Sequence, residues 1–178
     1  MEAEGRWIAA AVQGAFVLTL GVGALCDVCR YVIPNAVPLT LIALFVAAAA
    51  VAPGPVDWLS HVAAAGLALL GAGLLFHRGL LGGGDVKLLV ALALWSGLWQ
   101  LPGLLVTIAL AGGGLALVLV AVRAVVGIHA GRQSRGRTFA RSRSQLPRLL
   151  RSGEGIPYGL AMAAGAWLNF AHGRLPGP

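Results

Sequence analysis

The sequence predicts an all-α membrane protein, a polytopic bundle of six transmembrane helices with both termini on the non-cytoplasmic side. Three observations carry that prediction. Apolar side chains make up 58% of the 178 residues and 26 glycines add to them, whereas soluble domains hold about 45–50% with glycine included. Charged residues are 11%, under half the ~25% of a typical soluble domain and too few to hydrate the surface of a globule this size. Finally, apolar stretches of the length that a hydrocarbon layer of ~30 Å demands recur along the chain, and the basic residues fall in alternate connections between them. An ordinary soluble fold and a separate soluble catalytic domain are excluded, and residues 1–178 read as one membrane-embedded domain.

The first stretch runs from Trp7 to Cys26. Glu2 and Glu4 stand where a cleaved signal peptide carries basic residues, and no small-x-small site follows, so this span is expected to stay in the protein. Leu25 is too bulky a neighbour for lipid attachment at Cys26. After Asp27 the chain is expected to turn sharply: Pro34 biases Ile33 toward extended backbone, and Asn35 is a good N-cap for a second span from Ala36 to Ala52. Proline and glycine in Pro53 to Asp57 predict an outer turn before the third span, Trp58 to Phe76. Gly82, Gly83 and Gly84 precede a fourth, Val86 to Leu101. A second outer turn is expected at Gln100 to Gly103, then a fifth span from Gly103 to Ile128, a basic loop over about 129–155, and a last span from Ile156 to Ala171. Gly21, Gly23, Gly66, Gly71, Gly73 and Gly112 to Gly114 are expected to let helices approach closely where lipid gives no hydrophobic drive.

Alternating sides puts Arg30, Arg78, Lys87, Arg123 and the seven arginines from Arg132 to Arg151 on one face, against Arg6 and Arg174 on the other. The richer face is cytoplasmic. The net charge of +7 therefore reads as orientation and contact with anionic headgroups, each basic residue near the surface contributing ~1 kcal/mol. Nucleic-acid binding is not expected, because Phe139 is the single aromatic in the arginine-rich loop and bases need stacking partners.

Only six acids are present. Glu2, Glu4 and Asp57 lie in outer segments, where solvation explains them. Asp27 and Asp85 differ, since both fall at inner helix ends on the same side of the bilayer. Each has a bland explanation: Asp27 as a boundary acid in water paired with Arg30, Asp85 as an N-cap serving free N–H groups and the helix dipole. If they converge, they form an acid/base pair that activates water, one carboxylate taking a proton while the other, protonated, donates to a substrate carbonyl. Two acids within a few ångströms reach unequal protonation because their like charges do not both ionise cheaply. Lys87 either biases that pair and orients substrate or is a snorkelling, positive-inside anchor.

Asp27, five residues, then Ile33-Pro34-Asn35, followed by Gly82-Gly83-Gly84-Asp85-Val86-Lys87, resembles the type IV prepilin peptidases, membrane aspartyl proteases with a G-x-G-D motif. Ile156-Pro157-Tyr158-Gly159 is similar to a third stretch of that family, and the resemblance covers about Leu18 to Asn169. It implies cleavage of the short basic leader from prepilin or pseudopilin precursors at the cytoplasmic face of the inner membrane. It further implies Asp27 and Asp85 as the catalytic pair and Gly82 and Gly84 as the motif glycines; Lys87, Arg30, Pro34, Asn35, Pro157 and Tyr158 are the further candidates for motif or supporting roles. The larger bifunctional members, which also N-methylate, carry two C-x-x-C pairs. This chain has one, Cys26 and Cys29, and resembles the small protease-only form of tight-adherence (Flp) systems, so methylation is not expected.

Two thiols do not complete a four-ligand zinc site, and the four histidines show no metal-binding spacing, so neither metal nor cofactor is expected. His61, His77, His129 and His172 read as interfacial polar residues. The precursor's apolar helix, docking among the spans, is the expected source of affinity, since the basic inner face repels a basic leader. Two other function classes remain at this point: an ion or proton transporter, which would place its ionisable groups near mid-span, and a non-catalytic pilus-assembly factor.

Overall fold

A chain this apolar has to satisfy its backbone N–H and C=O groups within each segment, and helix does so. The computed structural model describes residues 2–52, 54–133 and 157–171, and among these the regular structure is α-helix. The elements are α1 (Glu2–Arg30), α2 (Ala36–Ala50), α3 (Trp58–His77), α4 (Gly83–Gln133) and α5 (Tyr158–Ala171). Three segments, Ala10–Arg30, Trp58–His77 and Gly83–Val125, are long and apolar enough to cross a membrane, and Ala36–Ala50 is a shorter apolar helix. Much of the exterior is apolar, with Leu59, Trp99, Leu110 and Leu117 all more than two-thirds exposed. Such a surface suits lipid.

Gly97 divides α4 into two limbs. Its φ of 64° and ψ of 174° lie in a region essentially closed to residues with a β-carbon. The polar groups freed by the break are taken up from α3. Ser60 Oγ accepts from the Leu98 N–H at 2.9 Å, and His61 Nδ1 lies 2.7 Å from the Leu94 carbonyl. A carbonyl only accepts, so Nδ1 carries the proton. Asp57 holds this corner in turn, accepting from the Ser60 N–H at 3.1 Å as the N-cap of α3.

Cross-helix contacts give the directions. Phe16, midway along α1, meets Trp95 and Phe170, and Asp27 near its C-terminal end meets Gly159, so α5 runs against α1. Asn35, just before α2, and Leu41 within it pair with Lys87 and Trp95, so α2 runs with the first limb of α4. His61 pairs with Leu94 and Phe76 lies against Gly83, so α3 runs against it. In the second limb Gly103, Ile108 and Gly112 face Asn169, Gly165 and Tyr158, antiparallel to α5. The second limb therefore reverses the first, and among the described residues the helical segments, with α4 taken as two limbs, alternate in direction. Phe16, Phe45 and Trp95 knit the end opposite Asp27, with Trp95 Nε1 donating to the Leu41 carbonyl at 2.8 Å. That bond satisfies the one polar atom of a buried indole.

Several expectations are corrected. The break falls at Gly97, and Gln100 to Gly103 is helical with Pro102 inside α4. Pro102 is the fifth residue after Gly97, so the bond lost with its missing N–H is the one to the Leu98 carbonyl, in the first turn of the second limb. The first helix continues past Cys26 to Arg30, so the chain turns at Tyr31 (φ 55°) rather than directly after Asp27. Residues 129–133, expected in the basic loop, extend α4, while 134–156 lie outside the described residues together with that loop's remaining arginines. The last helix begins at Tyr158. His61 is buried, not interfacial; His77 is exposed. Of the glycines expected at helix contacts, Gly23 faces Val37 and Gly112 faces Tyr158, but Gly21, Gly66, Gly71, Gly73, Gly113 and Gly114 have no neighbour within 4 Å of a built β-carbon. The tightest crossing is at Gly165, where a β-carbon would stand 2.5 Å from the Ile108 backbone.

Candidate active site

The end of α1 supplies the first acid. Asp27 lies in the last helical turn, and Tyr31, in the left-handed region at φ 55°, closes that turn by donating its N–H to the Asp27 carbonyl at 2.8 Å. The side chain is not the hydrated boundary acid that one simple reading gives: Asp27 is 6% exposed, while Arg30 beyond it is exposed. Its carboxylate meets the start of α5 instead. The Gly159 N–H donates to Asp27 Oδ2 at 2.7 Å, and the Leu160 N–H faces the same group. The first N–H groups of a helix have no partner within it, and their dipoles favour an anion. Asp27 thus caps α5 from another helix.

Glycine at 159 is what permits the approach. A β-carbon there would stand 2.9 Å from Asp27 Oδ2 and 2.8 Å from Ile33 Cδ1. Pro157, just before α5, is fully buried and fixes where that helix starts. Tyr158 turns its ring toward Gly112 on the second limb of α4.

The second acid sits in the first turn of α4. Asp85 is not the cap residue itself. Helix begins at Gly83, and the Asp85 carboxyl folds back toward the Gly82 backbone N–H, as the third helical residue does in a capping box. A β-carbon at Gly82 would stand 2.9 Å from Asp85 Oδ2, so the first motif glycine leaves room for that fold. The second, Gly84, does something different. Its open face receives Ile33, whose Cβ would lie 3.2 Å from an added β-carbon.

Ile33 is therefore in contact range of both Gly84 and Gly159, and the turn after α1 brings the two acids to one end of the bundle. Ile33 thus links the Gly84 backbone that precedes Asp85 to the Gly159 backbone that holds Asp27. Lys87 joins the same neighbourhood from the next turn of α4, donating from Nζ to Asn35 Oδ1 at 2.8 Å. Asn35 precedes α2 as expected, but its side chain makes no capping bond; it accepts from Lys87 instead. Pro34 is half-buried and passes its carbonyl to the Val37 N–H. Cys26 and Cys29 flank Asp27 as free thiols, half-buried and exposed respectively.

Asp27, Gly82, Gly84, Asp85, Lys87, Asn35 and Pro157 thus gather at one end. The Tyr158 ring packs against Gly112, and Arg30 is exposed. Sequence reading gave no role to the Gly159 and Leu160 amides or to the Ile33 side chain. The available signal was Pro157 ahead of a short apolar helix, which announces unpaired N–H groups, followed at once by a glycine.

Two such acids can transfer protons to and from a water and a carbonyl held between them. Among the described residues no three His, Cys, Asp or Glu side chains gather as metal ligands. Comparison with curated proteins and with solved structures gives no match. The sequence profile of the type IV leader peptidase family matches residues 14–117, more than half of the chain, from α1 through both acids and past Gly97, ending before Pro157 and Gly159. The chain belongs to the type IV leader peptidase family.

Proposed function

We propose that the protein is an aspartyl endopeptidase that removes the short basic leader of prepilin-like precursors at the cytoplasmic face of the bacterial inner membrane, with Asp27 and Asp85 as its catalytic pair. One ionised carboxylate takes a proton from water as the water oxygen attacks the scissile carbonyl carbon. The other carboxyl, protonated, donates to the carbonyl oxygen, giving a tetrahedral diol. Collapse returns the carbonyl, the C–N bond breaks, and the leaving nitrogen takes a proton from the pair, so the products are a carboxylic acid and an amine. No covalent intermediate forms.

The observation that carries this reading is that two acids from separate helices lie at one end of the bundle, linked through Gly159, Ile33 and Gly84, with Asp27 6% exposed. Family membership supports peptide hydrolysis as the reaction. The excess of Lys and Arg in alternate connections supports a cytoplasmic location for the Asp end, with six crossings and both termini outside. With a single C-x-x-C pair the chain fits the protease-only form without methylation. The precursor docks through its apolar helix, and the arginine-rich segment rests on anionic headgroups.

Purified protein in detergent, mixed with a candidate precursor, tests the proposal. Wild type releases the leader, and Asp27→Asn and Asp85→Asn each abolish release while unfolding at a temperature near that of wild type. Full activity in either variant contradicts the pair.

A further inference from the structure

Resting on the peptidase reading above, we infer that Ile33 is a positioning residue whose side chain, wedged between Gly84 and Gly159, sets the separation of Asp27 and Asp85. Four observations combine. The Ile33 side chain is 7% exposed. One part of it, Cβ, lies 3.2 Å from where a Gly84 β-carbon would be, directly before Asp85 in the chain. Its opposite end, Cδ1, lies 2.8 Å from the corresponding point on Gly159, whose N–H holds the Asp27 carboxylate at 2.7 Å. The segment carrying it is fixed at both ends, by the Tyr31 N–H on the Asp27 carbonyl and by Lys87 Nζ on Asn35.

One β-branched side chain therefore touches the backbone that bears one acid and the backbone that holds the other. Isoleucine is stiff at χ1, so it transmits a fixed distance where a flexible side chain would not. Both facing positions are glycines, which brings the backbones themselves into contact with the wedge. A purely space-filling residue would affect stability alone. A spacer also affects the chemical step, because a pair that shares one water depends on its separation.

The test has two readouts. In cleavage assays, Ile33→Ala lowers kcat by about 10- to 100-fold while KM changes little, since misplacement near 1 Å costs on the order of 10²-fold in a positioned reaction. Ile33→Val keeps Cβ but loses the Cδ1 methyl that meets Gly159, so it also lowers kcat, by less than Ile33→Ala, and a kcat equal to wild type in a well-folded Ile33→Val overturns the wedge where Ile33→Ala folds poorly. The second readout needs no activity. With Cys26→Ser and Cys29→Ser as background, Asp27→Cys and Asp85→Cys are bridged by bifunctional thiol reagents of graded length. The length profile with Ile33 is narrow, and Ile33→Ala shifts or broadens it. If wild type cleaves and Ile33→Ala keeps its kcat, or if the bridging profile is unchanged, the wedge is overturned. If wild type cleaves no precursor yet the profile responds to Ile33→Ala, the peptidase reading fails and the wedge stands.

Discussion

Replacing Gly159 by alanine adds a β-carbon 2.8 Å from Ile33 Cδ1, 2.9 Å from Asp27 Oδ2 and 3.1 Å from Asp27 Cγ. Carbon atoms settle at about 3.5–4.0 Å, so Ile33 has to withdraw by roughly 0.7 Å or more. The carboxylate has to move as well, away from the N–H that it now meets at 2.7 Å. A hydrogen bond to a charged group contributes about 1.5–3 kcal/mol, which corresponds to roughly 10- to 150-fold in a rate if the bond is lost in the transition state. Gly159→Ala is therefore expected to lower kcat/KM by between about 10- and 100-fold. The control is Gly21→Ala, where nothing lies within 4 Å of the added carbon and helix propensity favours alanine by roughly 0.5–1 kcal/mol. Initial rates of precursor cleavage, normalised to the folded fraction from thermal unfolding, separate the two. Equal rates for Gly159→Ala and Gly21→Ala would refute the idea that the start of α5 holds Asp27.

The Lys87 to Asn35 bond spans 52 residues of sequence and lies between exposed side chains, so Lys87→Met and Asn35→Ala should each cost about 0.5–1.5 kcal/mol. The double variant should be no worse than the worse single one, a coupling that a thermodynamic cycle on unfolding midpoints reads directly. At the opposite end, Gly97→Ala should destabilise by about 1–3 kcal/mol, because φ 64° with ψ 174° is strained for any β-carbon. Cleavage per folded molecule should be unchanged, and a specific loss of kcat there would show that the α4 reversal reaches the acids.

The composition made the helical class legible, and the apolar stretches located α2 and α3 to within two residues of their ends. That Asp27 and Asp85 lie at the same end was legible too, since both acids fall on one side once alternate crossings are assumed. Three things were not. Proline is the stronger helix breaker in a local reading, so Pro102 drew the turn that belongs to Gly97; the deciding bonds come from Ser60 and His61, on another helix. Asp85 looked like a cap and Asp27 like a solvated acid, because a linear sequence does not show which backbone approaches a carboxylate. The partner of Asp27 is 132 residues away. Glycines in apolar helices all look alike in sequence. Gly82, Gly84 and Gly159 admit a carboxylate or an isoleucine, whereas Gly21, Gly66 and Gly71 face open space.

An experimental structure with a non-cleavable precursor bound is the most direct test of the central claim. The two carboxyl groups should lie on either side of the scissile carbonyl, each within about 3 Å of one water or of the carbonyl oxygen, with Gly159 still donating to Asp27. Finding the acids separated, with Asp85 bound only to its own helix and Asp27 serving solely as the cap of α5, would contradict the account.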